Sequence, residues 1–196
     1  MKTFLTNQQS RLRELLPEFK TLPLSYDAHT VLEERDSTVE ITRDPAVKDL
    51  SSHDFKFLFE YDIFPRNIMA FAGEWQEQGR RMQEGDVIVQ QAFLPPLPLS
   101  VKLVFAVRVL KVFREPAKVG FSYGTLQGHP EMGLSEFYIA IRDGVTRAAI
   151  HTHSHPGTLL TRSVAPIFTL PYQQYCTNQG LKRMRDGFLA SLRPSS

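Results

Sequence analysis

Residues 121–137 read F-S-Y-G-T-L-Q-G-H-P-E-M-G-L-S-E-F, the end of one strand, a tight polar turn and the start of another. Gly124, Gly128 and Gly133 free the backbone to turn, and Pro130 stiffens the loop between them. Strand-like runs continue on both sides, over 101–113 and 119–126 before the turn and over 136–142 and 145–154 after it. Glu115-Pro116 separates the first pair of runs; Asp143-Gly144, a favoured two-residue hairpin turn, separates the last pair. Connections this short join neighbouring antiparallel strands, so this half of the chain predicts an antiparallel meander.

Working outward, residues 86–93 add a strand that the prolines at 95, 96 and 98 stop. Residues 55–64, F-K-F-L-F-E-Y-D-I-F, alternate with the period of a strand that has one strongly apolar face. Pro65 suits the first turn of a helix, and Ile68, Phe71, Ala72 and Trp75 then fall on one helical stripe over 66–78, which Gly79 ends. The single tryptophan reads as a core plug. At the N-terminus, Leu12, Leu15, Leu16 and Phe19 predict a helix over 6–19 that Pro17 limits, and 37–42 reads as a short strand. At the other end Tyr172, Tyr175, Cys176, Leu181, Met184, Phe188 and Leu192 make one face of a terminal helix, weakened by Gly180 and Gly187.

Strand, helix, about five antiparallel strands and a terminal helix predict the α+β class. The arrangement is helix-grip-like: a curved antiparallel sheet packed on a C-terminal helix, with an N-terminal helical extension. The boundaries expected are 1–54 for an extension packing on the main body, 55–192 for the single domain and 193–196 for a tail. A compact barrel with helices over its ends fits the same pattern. A curved sheet gripping a helix buries its faces unequally, so a cavity between the two is expected.

Composition narrows the function. With 42% hydrophobic and 22% charged residues the chain is an ordinary globular one. A formal charge of +2, with basic residues scattered until Lys182, Arg183 and Arg185, lacks the dense footprint of a nucleic-acid partner. One cysteine, Cys176, forms no internal disulfide and no cysteine-based zinc site, and it suits a reducing, cytoplasmic setting. No run approaches the length of a membrane span, and the N-terminus has too short an apolar core for a secretory signal.

Tyr61-Asp62-Ile63-Phe64-Pro65, then Asn67-Ile68-Met69, Gly79-Arg80, Met82 and Gly85-Asp86, form one set of signatures. Gly120-Phe121-Ser122-Tyr123-Gly124-Thr125-Leu126 with Gly128-His129-Pro130-Glu131 forms the other. On these strings the chain resembles the domain-of-unknown-function family numbered nineteen-ninety, over residues of roughly 55–174. The resemblance implies membership and no established reaction. The strand pattern is also similar, at the level of fold, to the START/Bet v 1-like helix-grip superfamily of lipid and small-molecule binders.

Six residues stand out as ligand-binding candidates. Tyr123 and Thr125 share a strand face with Val119 and Phe121, and would project a phenol and a hydroxyl from an apolar wall; buried polar groups satisfied by backbone are the alternative. His129, with Glu131 two residues on, offers an imidazole beside a carboxylate for acid–base work, or simply ties the turn together. In H-T-H-S-H, residues 151–155, alternate positions place His151, His153 and His155 on one strand face. Adjacent ligands on a flat strand seldom converge on one ion without a ligand from elsewhere, so these are read as strand histidines and no metal or cofactor is expected.

The leading functional reading is a module binding an apolar small molecule or lipid in a pocket between sheet and C-terminal helix. No catalytic residue is assigned, because no serine, cysteine or second carboxylate completes a triad. The alternatives are an enzyme using His129, Glu131 and Tyr123 or a metal held by His151 and His153, and a protein-interaction module docking through the proline-rich segment 94–99 or an exposed terminal helix.

Overall fold

The computed structural model describes residues 1–94, 101–156 and 170–192. Eight strands run in chain order: β1 (Lys2–Phe4), β2 (Glu33–Thr42), β3 (Met69–Gly73), β4 (Val87–Leu94), β5 (Val101–Glu115), β6 (Lys118–Thr125), β7 (Glu131–Arg142) and β8 (Val145–Pro156). The helices are α1 (Leu16–Lys20), α2 (Lys56–Phe59), α3 (Glu74–Glu77) and α4 (Leu170–Ser191). The strands form one antiparallel sheet in the order β2-β8-β7-β6-β5-β4-β3, with β1 pairing with β5. The fold is therefore α+β, a helix grip. Its meander runs as the turn chemistry requires: Asp143 and Gly144 both have positive φ, 54° and 70°, the signature of a type I′ hairpin turn.

Curvature comes from irregularities at defined places. The β5–β6 register shifts between Val109 and Lys111, and the β2–β8 register between Glu40 and Thr42. Gly133 has φ 145°, and a Cβ there would fall on the carbonyl oxygen of His153 in the neighbouring strand. Only glycine fits, and β7 and β8 can coil closely there.

The sheet separates two apolar clusters. On its inner face Ile88, Val107, Val109, Val119, Phe121, Phe137, Ile139, Ala148 and Ile150 meet Leu181, Met184 and Phe188 of α4. On part of its outer face the N-terminal segment lays Leu12, Leu16 and Phe19 over Ala70, Ala72, Val87, Val89, Val104 and Ala106. Strands β1 and β2 both come from the first 54 residues, so this stretch contributes to the sheet as well as packing on it. Among the described residues no helix is long and apolar enough to cross a membrane.

Three local expectations are corrected. Residues 55–64 form α2 and successive turns, not a strand. Leu58 and Phe59 donate backbone N–H bonds to Phe55, and Tyr61 has φ 61°, a left-handed conformation that ends any extended run. The reason is burial: Phe55, Leu58, Phe59, Tyr61 and Ile63 are all inside, so this run plugs the space under α4 rather than presenting one face. Residues 66–78 hold β3 and the single-turn α3 rather than one helix, because Ala70 and Ala72 alternate with Met69 and Phe71 against β4. The predicted helix over 6–19 is two 3-10 turns and the short α1, with Pro17 in its first turn. Trp75 is the expected core plug, fully buried. The proline-rich segment lies outside the described residues apart from Leu94.

Candidate functional site

Register across the inner face builds the site. Tyr123 of β6 lies opposite Ser135 of β7, Ser135 opposite Thr152 of β8, and Thr152 opposite Arg35 of β2. Partners in register point to one side of the sheet, here the side that carries Phe121, Phe137 and Ile150. Ser135 Oγ and Thr152 Oγ1 are 3.1 Å apart. Tyr123 also interacts through its hydroxyl with Tyr61, Ser135 and Gln90, and Gln90 Nε2 donates to the Tyr61 hydroxyl at 2.7 Å. A polar row thus crosses four strands inside an aromatic wall made by Tyr61, Phe64, Phe121 and Phe137.

The electrostatics of this row follow from burial. Tyr61, fully buried, has its phenol pushed well above the usual range by desolvation. Desolvation likewise pushes Tyr123 up to about 12, with the Glu131 carboxylate adding to it. Tyr123 nonetheless keeps accessible surface, as do Phe64, Glu131 and Thr152. Glu131 is raised by burial, offset in part by Arg35. Arg35 in turn donates to Gln173 of α4 at 3.1 Å, which ties β2 to the first half of the helix.

The other predicted residues fall into different places. Thr125 is closed off: it accepts from the Gly133 N–H at 2.9 Å, donates to the Gly133 carbonyl at 3.0 Å and meets Ser25 Oγ at 2.6 Å. His129 bonds the main chain of Glu131, not its carboxylate. Its Nδ1 lies 3.0 Å from the Glu131 N–H and 2.8 Å from the Glu131 carbonyl, with the ring edge-on to Phe105. Burial lowers its pKa to about 3, so the imidazole is neutral at ordinary pH and too weakly basic for efficient proton abstraction there. His151 and His153 sit on the outer face, with their rings 4.4 Å apart, on the opposite side of the sheet from Tyr123.

Sequence reading missed Tyr61, Gln90, Ser135 and Thr152. Gln90, a polar residue inside an otherwise apolar strand, was the available signal. Two surface clefts hold none of the six candidates. One, about 610 Å³, lies between His53, Phe55, Arg81 and Arg114; the other, about 640 Å³, follows the free edge of β3 past Arg13 and Arg66. Arg80 is engaged by Asp86 through two bonds of 2.5 and 2.8 Å.

Comparison with known proteins reaches family and fold. A family model described as "Domain of unknown function (DUF1990)" matches residues 53–183. No curated protein matches the sequence. Among solved structures, major latex-like protein 151 from Panax ginseng is 14% identical over 82% of this chain and 99% of its own, with a TM-score of 0.50. The di-domain ARO/CYC StfQ from the steffimycin biosynthetic pathway is 9% identical over 89% of this chain and 53% of its own, also at 0.50. Ara h 8.0201 is 10% identical over 81% and 97%, at 0.47. At such identities the likeness is one of fold alone.

Proposed function

This chain belongs to the DUF1990 family, and we propose that it is a small-molecule-binding module whose ligand lies between the inner face of the sheet and the first half of α4. One observation carries the reading. Tyr123 keeps accessible surface on a wall of aromatic side chains while its hydroxyl belongs to a polar row with Tyr61, Gln90 and Ser135. A mostly apolar surface with a few convergent polar groups is what fixes the orientation of a small ligand. The helix-grip fold supports it by setting a curved sheet against a long helix.

The chemistry of the row selects the ligand's polar end. Glu131 stands close enough to raise the Tyr123 pKa, and Arg35, the cation of the row, acts on Glu131 and is bonded to Glu33 and Gln173, so a second carboxylate brought there would find its countercharge already engaged. A hydroxyl or carbonyl would instead exchange hydrogen bonds with Tyr123 and Ser135. The ligand class is thus an apolar molecule with a neutral oxygen-bearing end. His129 is kept for the loop, which favours binding over acid–base catalysis through that residue.

Fluorescence titration of the full chain with retinol, against retinoic acid at neutral pH, tests this. Retinol is expected to saturate at one molecule per chain and to bind the more tightly. Tyr123→Phe, which keeps the ring and removes the hydroxyl, should weaken retinol about 3–10-fold, the worth of one hydrogen bond. Ser135→Leu should abolish uptake. Unsaturable binding, or retinol affinity indifferent to both variants, would defeat the proposal.

A further inference from the structure

We propose that Glu34, His151 and His153 form a divalent transition-metal site on the outer face of the sheet, of the two-histidine, one-carboxylate kind that suits zinc. The antiparallel register of β2 and β8 sets Glu34 opposite His153 and Asp36 opposite His151. Strand alternation keeps both histidines on the same side, and one ligand atom from each of Glu34, His151 and His153 falls within 4.8 Å of the others. The ligand from elsewhere that two histidines on a flat strand need is Glu34, supplied by a strand more than a hundred residues away in the chain.

The orientation of the imidazoles carries the inference further than their proximity. His151 Nδ1 faces the Asp36 carboxylate. A carboxylate there holds the proton on Nδ1 and leaves Nε2 with its lone pair, as in the carboxylate–histidine–metal arrangement of known metal sites. That Nε2 points at His153 Nε2, 2.6 Å away, and at Glu34 Oε1, 3.4 Å away. A proton on His153 Nε2 bridges the two rings as an N–H···N hydrogen bond, and with that proton moved to His153 Nδ1 both Nε2 atoms are free to bind one cation. Ligands at about 2.0–2.1 Å from a tetrahedral ion stand about 3.3 Å apart, so the two nitrogens need to part by less than about 1 Å, and Glu34 is already at that spacing. Glu136, which lies opposite His151 on β7, is taken by Lys118 at 2.9 Å and is not needed as a ligand.

Three protein ligands leave a fourth position for water or an incoming group. Two nitrogens and one carboxylate oxygen favour Zn²⁺, Ni²⁺ or Cu²⁺ over Mg²⁺ or Ca²⁺. The Glu34 and Asp36 side chains are both 62% exposed, so the ion is reached directly from solvent. The site faces away from Tyr123, and its occupancy is independent of the proposed ligand chamber.

Chelator-stripped full-length protein titrated calorimetrically with Zn²⁺ alone should take up one ion per chain. Co²⁺ should give the intense visible bands of a four-coordinate complex. His153→Ala and His151→Ala should each remove both signals, Glu34→Gln should weaken Zn²⁺ by at least about tenfold, and Asp36→Asn should weaken it about 10–100-fold without changing stoichiometry. His29→Ala, at an exposed turn, is the control that should leave binding unchanged. Uptake that persists in the His151→Ala, His153→Ala double variant overturns the site. So does an absence of uptake with a single shared proton on the two rings by nitrogen NMR. Glu34→Gln, fully on the surface side of an edge strand, keeps the test open should a histidine variant fold poorly.

Discussion

His129 supplies a prediction whose magnitude follows from burial. In the unfolded chain an imidazole takes up its proton near pH 6.5, whereas in the folded loop, packed on Phe105 and tied to Glu131, its pKa lies near 3. Above pH 6.5 both states hold a neutral ring, and stability is unaffected. As the pH falls through 6.5 towards 3 the unfolded chain gains a proton that the folded protein does not, so stability is lost over that window. Between pH 7 and pH 5 linkage gives a loss of about 1.9 kcal/mol, a figure that hardly changes as long as the folded value stays well below pH 5. The partial exposure of the ring therefore matters little at pH 5. Glu131, raised by burial, acts with the opposite sign, gaining stability as the pH falls through its own range. A comparison of wild type with His129→Asn cancels that contribution. Urea unfolding followed by Trp75 fluorescence at pH 7, 6 and 5 should show the wild-type advantage shrinking by about 1.9 kcal/mol, and reversing if the native loop contact is worth less than that. Parallel curves for the two proteins would refute the buried, neutral histidine.

Two further outcomes test the fold. Phe188→Ala removes a fully buried ring stacked on Phe55 at 5.5 Å and edge-on to His53 at 5.6 Å; equilibrium unfolding should show a loss of about 3–5 kcal/mol, and a loss under about 1.5 kcal/mol would mean that α4 does not seal the core as described. Gly133→Ala, at φ 145° and against the His153 carbonyl, should cost at least about 3 kcal/mol, whereas Gly144→Ala, at φ 70° with open space around it, should cost about 1 kcal/mol; equal thermal shifts would contradict the close approach of β7 and β8.

Legibility in the sequence followed the range of the interactions. The meander of β4 to β8, the Asp143-Gly144 turn and the Leu181, Met184 and Phe188 stripe of α4 were legible, because each rests on alternation, turn chemistry or helical spacing within a few residues, whereas Tyr175, read onto the same stripe, is exposed. Which way Tyr123 faces was legible for the same reason: its face is shared with Val119 and Phe121. The runs 55–64 and 66–78 were read with strand and helix exchanged. In the first, Phe55, Leu58 and Phe59 satisfy a helical turn as well as Phe55, Phe57 and Phe59 satisfy a strand, and short apolar runs carry both periods at once. Burial on every side under α4 decided in favour of turns.

What the sequence by itself determined is the class of fold and the identity of the side chains available: an antiparallel sheet, a terminal helix, and a tyrosine and five other candidates for chemistry. What tertiary structure alone decided is which of them meet. Tyr123 reaches Tyr61 and Ser135 through strand order, Thr125 and His129 are absorbed by the main chain of Gly133 and Glu131, and Glu34 reaches His151 and His153 through the pairing of a strand near the N-terminus with the last strand. Side-chain period is a local property that any stretch of sequence displays. Cross-strand register is a property of the whole sheet, set by how its apolar inner face packs on α4, and so it exists only once the chain has folded.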